Sequence, residues 1–308
     1  MKWIRSYGLA LVLVCLACMT LMIASCGKSD NSNTPSAVYK VEYVPGTGMN
    51  APTEGKTTFQ LKITKQSDGS AATGLAPVLT LTMTMSSGDS HSTPIDSVKE
   101  STSPGTYDCT VYYLMASKKN DGTSMGTWEM KVTVNGETTI FNPDVIMSMD
   151  SDTVKATLKG QNDIISGMSG TEKRTYYLFN DGLDSGMGGM YTLKLFITAK
   201  ESSTTYTALS SATTTTLHDE NGVAWSANPV SVEASTDGGA NWSNGANSTG
   251  GHWSVSLSSG ITSSVTNTIY VRLSVGKNGG VAEQKTTDGN AASGSNGYQT
   301  ILVTPSSM

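Results

Sequence analysis

Two methionines and a histidine lie close together in the segment LTMTMSSGDSH, which spans residues 81–91. Met83 and Met85 are separated by one residue, and His91 follows six positions later. Thioether sulfur and imidazole nitrogen are soft ligands of the kind that copper(I) prefers. Met115, at the end of a later apolar segment, supplies a fourth candidate ligand. These residue types predict a copper site made of the four side chains, provided that the fold brings them together.

The same methionines also fit a packing role. Leu79, Leu81, Met83 and Met85 occupy alternate positions, so in a strand they share one face. Methionine is a common filler of cores, which favours packing for Met83, whereas Met85 ends the run and fits either role. His91 lies among Ser, Thr and Asp residues in a stretch typical of an exposed loop. Metal binding and core packing therefore both stay open at this point.

Short segments with a period of two must position these side chains. In TFQLKIT, Phe59, Leu61 and Ile63 alternate with polar residues, which is typical of a half-buried strand. Three further segments bounded by turn-forming residues show the same alternation, namely residues 78–85, 106–115 and 127–134. No long stretch keeps the 3.6-residue period of an amphipathic helix. We therefore predict an all-β fold of the β-sandwich type, in which two sheets bury their inward faces against each other.

The second half of the chain repeats the order of these strands. Three segments of the first half resemble three of the second, namely residues 58–64 and 191–197, 105–111 and 251–257, and 127–134 and 268–275. Self-similarity of this kind indicates a duplicated unit. We predict two tandem immunoglobulin-like β-sandwich domains, the second a divergent repeat, at residues 37–147 and 175–308. A linker at 148–174 joins them, with a candidate for one further strand at residues 154–158.

The amino terminus has the pattern of a secretory signal. Lys2 and Arg5 precede an apolar run without charge that extends over residues 7–25. The run ends on Ile23-Ala24-Ser25-Cys26, which matches the lipobox of bacterial lipoproteins. An uncleaved membrane anchor is the alternative, because the run is almost long enough to span a bilayer.

Lipidation of Cys26 would decide where the protein resides. We expect residues 1–25 to be removed as a lipoprotein signal peptide and residues 26–36 to tether the domains to a membrane through the lipid. Gly27 and Lys28 follow the cysteine in place of an aspartate, which favours the outer membrane. The sequence thus predicts a lipid-anchored protein of the bacterial cell envelope.

Charge and cysteine content exclude several classes of protein. Loss of two basic residues with the signal leaves 18 of the 20 Lys and Arg residues against 25 Asp and Glu. An acidic balance argues against nucleic acid as a partner. Of the four cysteines, Cys15 and Cys18 leave with the signal, which leaves Cys109 as the one thiol that carries no lipid. We therefore expect no disulfide within the chain, and a buried, inert Cys109.

Sequence patterns of catalysis are missing. The chain has no Gly-x-Ser-x-Gly elbow between a strand and a helix, since its one such string, at residues 122–126, leads into the predicted strand at 127–134. It also has no phosphate-binding Gly-x4-Gly-Lys loop and no His-Glu-x-x-His helix. An Asp-box pattern occurs once, at residues 235–242, where the sequence reads STDGGANW. This pattern is typical of a tight hairpin turn. We expect a protein that binds and does not catalyse.

The first half resembles the YtkA-like domain family of bacterial envelopes, which is related in style to FixH-type and CopC-like β-sandwiches. The matching features are a strand at residues 56–64, then Met83 and Met85, His91 and Pro94, Gly105-Thr106-Tyr107, Met115, and Gly126-Thr127-Trp128. The resemblance implies an immunoglobulin-like fold without catalysis and, for some relatives, copper handling or oxidase assembly. This sequence departs from the family in residues 86–90, where relatives carry more Met and His residues.

Two functions are compatible with these observations. The first is a membrane-tethered extracytoplasmic lipoprotein that acts as a non-catalytic binding or accessory protein and handles copper through its first domain. The second is a cell-surface adhesion or matrix-interaction protein, which would bind no metal and would meet a protein or glycan partner. The sequence itself does not name that partner.

Overall fold

Alternating side chains build the sheets of this protein, as the computed structural model shows for residues 37–46, 51–148, 151–167 and 170–305. In the strand that contains TFQLKIT, Phe59, Leu61 and Ile63 are at most 2% exposed, while Lys62 is exposed. The described residues form nineteen strands and two short 3-10 turns, so the predicted all-β fold class is confirmed. The predicted signal peptide, Cys26 and the tether up to residue 36 lie outside the described residues.

The first half contains eight strands. They are β1 (Tyr39–Pro45), β2 (Gly55–Lys65), β3 (Val78–Met85), β4 (Ser90–His91), β5 (Ile95–Glu100), β6 (Thr106–Tyr113), β7 (Gly126–Val134) and β8 (Glu137–Phe141). One sheet has the order β1-β2-β6-β5 and the other β4-β3-β7-β8. These are the strand orders A-B-E-D and C′-C-F-G of an immunoglobulin sandwich. The inward faces enclose a core that includes Leu61, Leu81, Val111 and Trp128.

The second half contains eleven strands. They are β9 (Lys155–Gly167), β10 (Gly170–Ser185), β11 (Tyr191–Lys200), β12 (Tyr206–Ala208), β13 (Thr215–His218), β14 (Ala224–Ser235), β15 (Ser243–Thr249), β16 (His252–Leu257), β17 (Asn267–Lys277), β18 (Glu283–Gln284) and β19 (Gln299–Val303). The main path runs β18-β17-β14-β15-β16-β11-β10-β9, with β12, β13 and β19 at its sides. These strands enclose a second core, which includes Leu195, Trp253 and Leu273.

The strand pairings of the first half recur in the second. The pairs β1–β2, β2–β6 and β5–β6 correspond to β10–β11, β11–β16 and β15–β16. On the opposite side, β3–β7 and β7–β8 correspond to β14–β17 and β17–β19. The three pairs of segments that are similar in sequence thus occupy equivalent places in the two halves.

Residues 148–174, predicted as a linker, instead contain β9 and the beginning of β10. The two strands pair antiparallel, with Lys155 opposite Phe179 and Gly170 opposite Gly167. Glu283 holds the polar part of β9 in place, because its carboxylate accepts the backbone N–H groups of residues 161 and 162 at 2.8 and 3.1 Å. The second sandwich therefore begins at β9, and Val38–Met308 forms one compact unit. Within the described residues, no helix is long and apolar enough to cross a bilayer.

Candidate metal-binding cleft

The outer faces of the two sandwiches meet in an aromatic cluster. Tyr112 and Leu114, which point away from the core of the first half, pack against Phe179 and Phe196 of the second. The rings of Tyr112 and Phe196 stack with centroids 4.2 Å apart. Buried aromatic pairs of this kind contribute more than their area alone. The contact joins the halves by an apolar surface, which we call the junction.

Charged groups surround the junction. The Tyr112 hydroxyl donates to Asp181 at 2.8 Å, and Lys56 lies 3.4 Å from the same carboxylate. His252 of the second half lies 2.9 Å from Asp96 of the first and 3.5 Å from Asp181. Hydrogen bonds to these two carboxylates raise the pKa of His252 to about 9, so it is a cation at neutral pH. Burial opposes ionisation of Asp181, but hydrogen bonds from His252 and Tyr112 and the charge of Lys56 lower its pKa.

A cleft of about 280 Å³ opens beside the junction, and three of the four predicted ligands line it. They are Met85 at the end of β3, His91 in β4 and Met115 just after β6. Both methionines are partly buried against the edge of the first core. The Trp128 indole N–H donates to the Met115 carbonyl at 3.0 Å and so fixes the backbone there. The fold thus gathers two thioethers and one imidazole on one wall of the cleft.

Met83 takes a different place. It is 0% exposed and belongs to the first core, with no place among the residues that line the cleft. In the sheet, Met83 pairs with Trp128 of β7 on one side and with His91 of β4 on the other. His91 lines the cleft, whereas the Met83 side chain packs in the core. The candidate ligand set therefore loses Met83, in keeping with the packing role that its position favoured.

His91 does not lie in an exposed loop, as its polar neighbours suggested. It belongs to the short strand β4 and is half-buried, with its ring edge-on to Trp128 at a centroid distance of 5.4 Å. Its Nδ1 lies 2.8 Å from the Ser92 carbonyl oxygen, an acceptor, so we assign the ring proton to Nδ1. Nε2 then carries a lone pair, and this atom is buried without a hydrogen-bond partner in the described structure. Burial lowers the pKa of His91, which favours this neutral, ligating form.

The second half forms the opposite wall of the cleft. Lys155, Tyr177, Lys200, Ser203 and Tyr206 line it. The two ammonium groups are paired with carboxylates, at 2.5 Å from Glu54 and 2.7 Å from Glu172 respectively. The tyrosine rings contact each other edge to face at 5.9 Å. Sequence reasoning missed this whole wall, since no local pattern connects residues 155–206 with the methionines of the first half.

Ser92 connects the two walls. Its N–H donates to the Ser203 carbonyl at 2.8 Å, and its own carbonyl accepts from the Tyr206 hydroxyl at 3.3 Å as well as from His91. Partners behind a ligating histidine fix its tautomer and orientation. The second half therefore helps to orient the imidazole of the first.

Other candidate groups have structural environments. Cys109 is buried in the first core, and burial raises its pKa to about 12, so its thiol is inert. Asp237 forms the turn between β14 and β15, where its carboxylate accepts from the Asn241 N–H at 2.9 Å. Trp242 packs back on that turn, and the guanidinium carbon of Arg272 lies 4.2 Å above the centroid of its ring. No group of three His, Cys, Asp or Glu side chains in the described ranges is arranged to hold a metal.

Fold and cleft together define an all-β protein of two packed sandwiches with a soft-ligand cleft at their junction. No family model and no curated protein matches the chain. Among solved structures it is similar to a chimeric titin Z1Z2-Z1Z2 tandem functionalized with a GRGDS peptide from fibronectin. That match has 10% identity and a TM-score of 0.19, and covers 87% of this chain and 100% of the other. A TM-score this low carries no argument, so the description of the fold depends on the strand pairings given above.

Proposed function

We propose that this protein is a non-catalytic, extracytoplasmic copper(I)-binding protein whose site is the cleft at the junction. Met85, His91 and Met115 supply the ligands. The observation that carries the proposal is the His91 imidazole, whose Nδ1 contacts the Ser92 carbonyl while Nε2 is buried without a partner. A buried polar atom without a partner is costly, and a metal ion would satisfy it.

The chemistry of the set supports copper(I) over harder ions. Two thioethers and a neutral imidazole suit a soft monovalent ion, whereas Mg²⁺ and Ca²⁺ prefer oxygen ligands. Both thioethers lie at the edge of the core and not inside it, so they reach the cleft without a cavity opening behind them. The resemblance to YtkA-like domains, some of which handle copper, agrees with this proposal but does not carry it.

A competition titration tests the proposal. The mature chain, purified in detergent, is titrated without oxygen against a chromophoric copper(I) chelator. We expect one ion bound with sub-micromolar affinity, and a loss of about tenfold or more in Met85→Leu, His91→Gln and Met115→Leu, because each removes one ligand. Met83→Leu is the matched control, since Met83 lies in the same strand but faces the core. Absence of binding, or equal affinity in all variants, would refute the site and favour the adhesion alternative.

We propose further that Cys26 anchors the protein to the membrane of a bacterial cell envelope. The support is the lipobox at residues 23–26 and the polar tether that follows it. Metabolic labelling with palmitate should mark the chain, and Cys26→Ser should abolish both the label and sedimentation with membranes. An unlabelled chain that still sediments would show an uncleaved anchor instead.

A further inference from the structure

The cleft offers more room than a copper ion and its three ligands need, and the inference drawn from this rests on the proposed function. Its volume of about 280 Å³ is several times the ~30 Å³ that one water molecule takes up in the liquid. All three proposed ligands come from the first half, so the second half faces the ion without a protein ligand assigned to it. The volume of the cleft therefore leaves room for a further small ligand besides the ion.

Charge limits what that ligand is. Thioethers and a neutral imidazole bring no negative charge, so a bound copper(I) ion would keep its full positive charge. The opposite wall presents the ammonium groups of Lys155 and Lys200, whose charges are already matched by Glu54 and Glu172. A bare cation would therefore add one uncompensated positive charge to a cleft whose own charges already cancel, which is unfavourable away from bulk water.

We infer that the cleft binds copper(I) together with a soft monoanion, a halide or a thiolate, as the fourth ligand. The anion lies between the ion and the ammonium groups of Lys155 and Lys200. It cancels the charge of the ion, and each ammonium has three N–H donors, of which its carboxylate partner accepts one in the structure. The step is coordination alone: a bond forms between copper and the anion, copper stays in the +1 state, and no electron or proton moves.

X-ray absorption of the full chain tests the inference. The protein is loaded without oxygen with one equivalent of copper(I), in one arm with bromide and in the other with a small selenolate that replaces a thiolate. Both probes scatter in a way that methionine sulfur and histidine nitrogen do not. We expect roughly one bromide or one selenium at bonding distance per copper, beside sulfur and nitrogen from the protein. The arm that gives the stronger signal identifies the halide or the thiolate as the preferred source.

Lys200→Met is the decisive variant. It keeps an apolar stem in the cleft and removes the charge, and its partner Glu172 is 40% exposed, so the abandoned carboxylate stays hydrated. We expect the bromide or selenium signal to fall by more than half while the sulfur and nitrogen signals stay. Lys155→Met should act in the same direction, and Lys194→Met, whose partner Asp184 is exposed and which does not line the cleft, is the control.

The outcomes separate the two proposals. Copper held by sulfur and nitrogen with no bromide or selenium neighbour would overturn the anion inference and leave the proposed function standing. An anion signal that is equal in Lys200→Met and Lys194→Met would overturn the role of the lysines. A chain that binds no copper in either arm would refute the proposed function and this inference with it.

Discussion

Raising the pH through 9 should weaken the electrostatic contact that joins the two sandwiches. The group responsible is His252, which reaches Asp96 of the first half and Asp181 of its own half. Hydrogen bonds to both carboxylates raise its pKa from 6.5 to about 9. Because the pKa in the folded state is the higher one, the stabilisation is fully present below about pH 6.5 and is lost as the pH rises through about 9. Asp181 does not offset the loss, since its lowered pKa keeps it ionised over this whole range.

The size of the effect follows from the two pKa values. A difference of one pKa unit corresponds to about 1.4 kcal/mol, so the rise to about 9 gives an upper value of roughly 3 kcal/mol. The imidazole is 29% exposed, and water therefore screens part of the interaction. We expect a contribution of about 2 kcal/mol to the free energy of unfolding, which is a large share of the stability of an ordinary domain.

Urea unfolding at about pH 6 and about pH 9.5 measures this contribution of His252. The free energy of unfolding changes with pH according to the difference in bound protons between the unfolded and folded states. Wild type is compared with His252→Gln, in which the amide keeps hydrogen bonds to the carboxylates but does not titrate. Lysines and tyrosines contribute equally to both proteins, so they cancel in the comparison. Wild type should lose about 2 kcal/mol more than the variant between the two pH values. An equal loss in both proteins would refute the reasoning, since His252 would then not hold its proton more tightly in the folded state.

Three further predictions concern single side chains. Tyr206→Phe should weaken copper(I) binding by about tenfold, because the Ser92 carbonyl that orients the ligating imidazole loses a donor. Tyr177→Phe, on the same wall, should leave the affinity unchanged. A competition titration that finds both variants equal to wild type would contradict the role of Ser92. Met83→Ala should lower the free energy of urea unfolding by about 2–5 kcal/mol, since the residue is 0% exposed, and a loss within error would mean that it is not core. Arg174→Met should destabilise by about 3–5 kcal/mol, because Asp163 and Glu201, two nearly buried carboxylates, would lose their shared guanidinium partner. An unchanged melting temperature in calorimetry would exclude that arrangement.

The segments predicted as strands, such as residues 58–64, 127–134 and 268–275, are ones in which buried and more exposed residues alternate along the sequence. Strand β9 was predicted only at its beginning, within residues 154–158, because its middle contains Gly160, Gln161, Asn162 and Asp163, residue types typical of turns. In the structure these residues lie within β9, where Glu283 binds two of their N–H groups and Arg174 binds the aspartate. Tertiary hydrogen bonds from distant strands thus outweigh local preference, and no local pattern could have revealed them.

The sequence interpretation placed His91 in an exposed loop, and this was wrong for a related reason. Ser92 and Thr93 read as exposed loop residues, yet they are 6% and 3% exposed. The Thr93 hydroxyl is buried because it bonds the backbone at the end of β6, donating to the Tyr112 carbonyl and accepting from the Leu114 N–H at 3.1 Å. Polar side chains enter the interior when they satisfy such groups. The hydroxyl-rich sequence therefore lies at the junction, and His91 beside it is half-buried.

Met83 and Met85 show how the end of a strand separates packing from binding. Both side chains lie on the same face of β3, yet Met83 is enclosed by the first core while Met85 lies where the strand leaves it. In a lone sandwich Met85 would meet water, and its thioether would be an ordinary exposed edge residue. The second half covers this edge with Tyr177 and Tyr206 and turns it into a cleft. The tandem arrangement is therefore part of the proposed site, since one half supplies the candidate ligands and the other half encloses them.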